Sequence, residues 1–172
     1  MLSRDSVFSS KENDPGIMWE VTGNGNVTVI ANQTASKTIT NKVKLPSTVI
    51  NVTPNTFETE PGENVILTIT DMNNGAVPIT NPSVQLLADN VLTVPQPTFV
   101  SESGTVNGIM DVGETWTWTW QGMISANTVF TVNGIGTDPL GNPVNGQTYQ
   151  SETMSITVKV IGTTRTLGFW QT

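Results

Sequence analysis

The sequence contains no cysteine and no histidine. These two absences exclude disulfide bonds, thiolate nucleophiles, histidine general bases and metal sites built from cysteine or histidine. Only seven lysine and arginine residues stand against fourteen acidic ones, and the net charge of −7 argues against binding to nucleic acid, which requires a basic face. No apolar run is long enough to span a membrane, and residues 1–10 lack the apolar core of a signal peptide. If the protein is secreted, we therefore expect this chain to be a processed piece.

The residues that are present favour strands over helices. Charged residues make up only 12% of the chain, and most of its polar side chains are threonine, serine, asparagine and glutamine. Abundant valine and isoleucine add to this preference, and no stretch of ten residues has apolar positions at helical spacing. We predict an all-β chain. Its acidic, threonine- and asparagine-rich composition is typical of extracellular or cell-surface proteins, and no residue pattern indicates an enzyme.

The balance of basic and acidic residues changes near residue 46. Residues 1–45 contain five basic and four acidic side chains, a net charge of +1, whereas residues 46–172 contain two and ten, a net charge of −8. We predict three parts: an N-terminal strand-rich segment over 1–46, a sandwich domain over 47–162 and a C-terminal extension over 163–172. The first part is interpreted as an assembly strand or as the tail of a preceding module.

Within the N-terminal segment, the pattern predicts three strands. Segments 17–22 and 27–32 flank the sequence GNGN, whose glycines and asparagines supply the positive φ of a hairpin turn. The third strand, 37–45, alternates apolar and polar residues. Its inward face is predicted to contain Ile39, Asn41, Val43 and Leu45.

After residue 46, short strands follow one another with turn signals between them. The predicted strands are 48–53, 65–70, 83–88, 91–94, 98–101, 114–120, 128–137 and 153–161. This number and spacing predict an antiparallel β-sandwich of the Ig-like type.

Four motifs in this region resemble those of a known family. They are PGENVILTIT at 61–70, NNGAVPITN at 73–81, DVGETW at 111–116 and GTDPLGNP at 136–143. In this order they are similar to the conserved-repeat modules of bacterial and archaeal cell-surface proteins. The resemblance covers about 47–162 and implies an Ig-like or prealbumin-like sandwich, often repeated in tandem. It implies no common enzymatic activity.

The loop before the tryptophan-rich strand matches a calcium-binding pattern in part. In a twelve-position loop of the type D-x-[DN]-x-[DN]-G-x5-E, Gly108 takes the sixth position. The candidate ligands are Ser103, Thr105, Asn107, Asp111 and Glu114. Two expected aspartates are replaced by hydroxyl residues, which leaves two carboxylates for the ion. Calcium is the one cofactor that the sequence suggests, and a loop closed without an ion is the alternative.

The strand ETWTWTW places three indoles on one face and three threonines on the other. Burial of Trp116, Trp118 and Trp120 in the core is one interpretation, since a sandwich needs large inward side chains. The alternative is an exposed surface on which sugar rings stack, as in carbohydrate-binding or adhesive modules.

Two kinds of covalent modification are also suggested. Asn26, Asn32 and Asn51 lie in N-x-[ST] sequons and are candidate glycosylation sites. Lys42, Lys44 or Lys159 could join an asparagine in an intramolecular isopeptide bond.

These observations favour a non-enzymatic extracellular structural module of a cell-surface or filament-forming protein. The basic N-terminal segment beside an acidic sandwich suggests self-assembly by strand exchange, with copies of the chain or neighbouring modules as partners. The alternative function is carbohydrate binding through the tryptophan face.

Overall fold

The computed structural model describes residues 6–11, 16–30, 33–148 and 152–162. The chain divides into two compact units, Met1–Leu45 and Pro46–Thr172. No helix in the described ranges has the length and apolar character needed to cross a membrane.

The N-terminal unit contains four short strands in two separate ladders. They are β1 (Ser6–Ser10), β2 (Trp19–Thr22), β3 (Gly25–Val29) and β4 (Thr40–Val43). β1 pairs with β3, and β2 pairs with β4, both antiparallel. The predicted hairpin of 17–22 with 27–32 is therefore wrong. Gly23 and Gly25 do have positive φ, 89° and 133°, but they direct the chain from one ladder into the other.

The inward face predicted for 37–45 is also wrong. Asn41 is exposed, and the side chains of Val43 and Leu45 are 43% and 64% exposed. The physical reason is that a two-stranded ladder has no second layer against which one face can be buried. Among the described residues of this unit, Met18 is the one buried hydrophobic side chain.

The second unit is a sandwich of two sheets. The first sheet has the order β10-β12-β7-β5 and is antiparallel. Its strands are β5 (Thr48–Pro54), β7 (Asn64–Asn73), β10 (Thr98–Glu102) and β12 (Thr115–Met123).

The second sheet has the order β11-β8-β13-β15-β6, with β9 added beside β8 and β14 beside β13. Its strands are β6 (Glu58–Thr59), β8 (Ile79–Ala88), β9 (Val91–Leu92), β11 (Ile109–Met110), β13 (Thr128–Thr137), β14 (Pro143–Asn145) and β15 (Thr153–Val160). β6 runs parallel to β15, and the other pairs are antiparallel. The prediction of an all-β, Ig-like antiparallel sandwich is confirmed.

The core lies between the two sheets and follows the alternation of the sequence. Every second residue of β7 and β13 is buried, and the three indoles of β12 face the same interior. The central cluster includes Val65, Leu67, Ile69, Trp116, Trp118, Trp120, Phe130 and Val132. Because each strand presents alternate residues to this interior, its other face is left to solvent or to loops.

Candidate functional site

The candidate calcium loop, residues 103–114, is closed by the carboxylate of Glu114. One oxygen, Oε1, accepts a hydrogen bond from the backbone N–H of Thr105 at 3.0 Å. The other, Oε2, accepts one from the backbone N–H of Asp111, also at 3.0 Å. Gly104 allows this arrangement, because a Cβ at that position would collide with Oε1.

The side chains of three other candidate ligands, Ser103, Asn107 and Asp111, also form hydrogen bonds. The hydroxyl of Ser103 accepts the N–H of Thr115 at 2.9 Å, and Nδ2 of Asn107 donates to Oδ2 of Asp111 at 3.1 Å. Among the described residues, no group of three or more acidic side chains is arranged to hold a metal ion. Ca²⁺ takes six to eight oxygen ligands. The hydrogen bonds close the loop without an ion, which is the alternative that we favour, and calcium binding at this loop remains a prediction.

We expect Glu114→Ala to destabilise the sandwich by about 3 kcal/mol, because two backbone N–H groups would lose a charged acceptor. The control is Glu63→Ala, which removes an exposed carboxylate from a turn. Urea unfolding of both variants and of the unchanged protein, each with calcium and with EDTA, measures the effect. A midpoint of the unchanged protein that rises with calcium would contradict this account of the loop.

The tryptophan row lies in the core. Trp116, Trp118 and Trp120 are 4–9% exposed and form part of the central hydrophobic cluster. The ring of Phe99 packs against the first two, with centroid distances of 5.0 and 6.0 Å, and Trp120 packs against Phe130 at 5.2 Å. The alternative of a sugar-stacking surface is not supported, because a sugar ring needs an open indole face and these faces are covered by protein.

The three sequons fall in different parts of the structure. Asn26 is exposed on β3, and Asn51 is exposed on the outer face of β5. Asn32 lies outside the described residues. Glycosylation at these positions remains a prediction, since exposure is required for it but does not demonstrate it.

A group of buried polar residues was not identified from the sequence. It consists of Thr48 on β5, Asp71 on β7 and Glu152, which directly precedes β15. All three side chains are only 1–2% exposed, although most charged residues of folded proteins lie at the surface. Together they form what we call the buried acid site.

Hydrogen bonds join two members of the buried acid site directly. The backbone N–H of Thr48 donates to Oε1 of Glu152 at 3.0 Å, and the hydroxyl of Thr48 donates to the same oxygen. Oδ1 of Asp71 is buried and has no hydrogen-bond partner within the described part of the chain. Oε1 of Glu152 thus accepts two hydrogen bonds, whereas Oδ1 of Asp71 accepts none from the described residues.

Gly134 of β13 leaves the space in which the two carboxyl groups meet. A Cβ at this position would collide with Oε2 of Glu152 and would lie 3.2 Å from both Oδ2 of Asp71 and Cγ1 of Ile50. The two acids therefore approach each other beside apolar side chains. Burial raises the pKa of Asp71 from its usual 3.8 to about 7, with the nearby charge of Glu152 as the second cause. Burial also raises the pKa of Glu152, and the hydrogen bonds from Thr48 oppose that rise.

The sequence does hold a signal for this site. In β7 the inward positions run Val65, Leu67, Ile69 and then Asp71, so the period of two places a carboxylate in the core. No pattern in the sequence locates its partner, because Glu152 directly precedes β15 and is not part of the alternation of that strand.

Comparison with known proteins gives a likeness in fold alone. No protein-family model and no curated protein matches this sequence. The CARDB domain of a protein from Pyrococcus furiosus, solved by NMR, aligns with a TM-score of 0.48 and 8% identity over 69% of this chain and 98% of that domain. The sporulation control protein Spo0M from Bacillus subtilis aligns with a TM-score of 0.36 and 11% identity over 69% of this chain and 51% of Spo0M. Membership of the conserved-repeat family therefore stays a prediction.

Proposed function

We propose that this chain is a non-enzymatic structural module of an extracellular, cell-surface or filament-forming protein. In this proposal, copies of the chain or neighbouring modules assemble through the N-terminal unit by strand exchange. The unburied apolar surface of that unit supports the proposal most directly.

The described residues of the N-terminal unit form little interior of their own. Its two ladders have two strands each, and such ladders are at best marginally stable in water. Several of its apolar side chains are more than 40% exposed: Val7, Ile17, Ile30, Val43 and Leu45. A partner that added strands or a covering sheet would bury this surface, and the gain is about 25 cal/mol for each Å² removed from water.

The sandwich offers a surface of the kind that strand exchange requires. β10 lies at the edge of the first sheet, and its side chains of Phe99 and Val100 are 47% and 55% exposed. An open edge presents unpaired backbone N–H and C=O groups that an extended strand of another chain can pair with. The charges of +1 on residues 1–45 and −8 on residues 46–172 favour contact between unlike units of two copies. A head-to-tail contact of this type extends into a filament.

The positions of the titratable side chains among the described residues favour a structural role over an enzymatic one. The carboxylate of Glu114 is engaged by backbone N–H groups, and the buried acid site is closed to solvent. A groove on the exposed face of β13 has no titratable group among its lining residues: Gln85, Asn133, Gly134, Ile135, Asn145, Gly146, Gln147 and Thr153. General acid or base catalysis would need such a group within reach of a substrate.

The double variant Val43→Asp with Leu45→Asp tests the role of the N-terminal unit. Two new charges on its exposed apolar surface are expected to abolish self-assembly at concentrations where the unchanged chain associates, because burying them is costly. The control variant, Val106→Asp with Leu140→Asp, adds the same charge at exposed positions of the sandwich. Light scattering over a concentration series measures the assembled mass. Equal assembly by the double variant and the unchanged chain would contradict the proposal.

A further inference from the structure

The buried acid site joins the two ends of the sandwich. Thr48 is the first residue of β5, the first strand of this unit, and Glu152 directly precedes β15, the last strand among the described residues. The two residues are 104 positions apart in the chain. Their contact is therefore a link between the first and last strands.

The contact brings together the groups needed to form an ester. The hydroxyl oxygen of Thr48 is a nucleophile held directly against the carboxyl group of Glu152. The backbone N–H of Thr48 points at Oε1 of the same carboxyl group from 3.0 Å, where it stabilises negative charge that develops on that oxygen. The side chain of Asp71 interacts with both partners and can accept and return a proton.

We propose that Thr48 and Glu152 condense to an intramolecular ester that staples the sandwich. The two carboxyl groups lie side by side and can share one proton, and the reaction starts from the state in which Glu152 holds it. Oγ1 of Thr48 then attacks Cδ of the protonated carboxyl group of Glu152, and the ionised Asp71 takes the hydroxyl proton. The tetrahedral intermediate then expels its hydroxyl group, to which Asp71 returns that proton. One C–O bond forms, one C–O bond breaks and one water molecule leaves, so that no oxidant or other reactant is needed.

Two physical features favour formation of the ester. Effective molarities of well-oriented groups within one molecule reach about 10⁵ to 10⁸ M, so positioning of the hydroxyl against the carboxyl group lowers the barrier to condensation. All three side chains are at most 2% exposed, so bulk water has little access to the bond. Of the lysines considered above for an isopeptide bond, Lys42 and Lys159 are by contrast exposed, and Lys44 is half-buried.

A staple at this position would hold the module closed under tension. It would close a loop of about one hundred residues, for which the loss of unfolded-state entropy is large. A force that pulls the first and last strands apart would then act on a covalent bond. This inference does not depend on self-assembly, because the ester forms within one chain.

Intact-mass spectrometry of the purified full chain tests the ester. The measured mass of each protein is compared with the mass calculated from its own sequence. The measured mass of the unchanged chain is expected to be lower than the calculated one by the mass of one water molecule. Thr48→Val is expected at its full mass, and so is Asp71→Asn, whose folding is checked by circular dichroism. Alkaline hydrolysis of the unfolded protein is expected to restore the missing water.

Digestion with a protease that cleaves after glutamate locates the ester bond in the sequence. The digest is expected to contain one cross-linked product of peptides 21–58 and 115–172, since an esterified Glu152 resists cleavage. A folded chain at its full sequence mass would overturn the proposal. Loss of water that persists in Thr48→Val would overturn it as well, because the water would then come from another site.

Discussion

Lowering the pH from 8 to 5 is expected to stabilise the sandwich by about 3 kcal/mol, which is opposite to the usual behaviour of buried carboxylates that form ion pairs. The cause is Asp71, whose pKa is raised from 3.8 to about 7 in the folded protein, mainly by burial. Between these two values the folded chain binds a proton that the unfolded chain releases. The contribution of this bound proton to the free energy of unfolding is fully present below about pH 4 and is lost as the pH rises through 7.

The variant Asp71→Asn is expected to remove most of this pH dependence, because the amide has a similar shape but does not titrate. Glu58→Gln, at an exposed position of β6, is the control and should keep the dependence of the unchanged protein. Urea unfolding at pH 5, 6, 7 and 8 measures the slope. Stability is expected to fall with rising pH whether Glu152 is free or joined to Thr48, because burial is the larger cause of the raised pKa of Asp71. A slope in Asp71→Asn equal to that of the unchanged chain would contradict this assignment.

Trp118→Ala is expected to destabilise the sandwich by about 3 to 5 kcal/mol, enough to unfold much of it at room temperature. Trp118 is 4% exposed, lies in the middle of β12 and packs beside Trp116 with ring centroids 6.0 Å apart. Its removal leaves a cavity between the sheets that neighbouring side chains cannot fill without leaving their rotamers.

The matched control is Met123→Ala, which shortens a large side chain on the same strand at a position that is 72% exposed. Its expected effect is within about 0.5 kcal/mol, as for most surface substitutions. Circular dichroism during urea unfolding reports on both variants without relying on the altered fluorescence. Similar midpoints for the two variants would mean that the tryptophan row is not part of the core.

Most of the sandwich could be predicted because period-two alternation and turn residues are local signals. The strand predicted at 128–137 has those limits in the structure, and the strand predicted at 65–70 begins one residue earlier and ends three residues later. The predicted break at Asp89 and Asn90 separates β8 from β9, and both residues have positive φ. Where one face of a strand is buried, the sequence pattern and the structure agree.

The N-terminal unit could not be predicted in the same way. The alternation in 37–45 is typical of a strand with one buried face, yet Val43 and Leu45 are exposed because no described part of their unit covers them. Strand pairing also failed there, since the GNGN sequence supplies positive φ but does not determine which strands pair. The buried acid site was missed for a related reason: Thr48, Asp71 and Glu152 are far apart in sequence and meet only through the tertiary fold.

Assembly through the N-terminal unit is the central claim, and electron microscopy of the full chain in negative stain tests it most directly. The account predicts regular fibres whose repeat is about one module, formed at concentrations where light scattering reports masses well above that of one chain. Fibres should be absent in the variant with Val43→Asp and Leu45→Asp. A full chain that stays monodisperse and monomeric at every concentration would contradict the account.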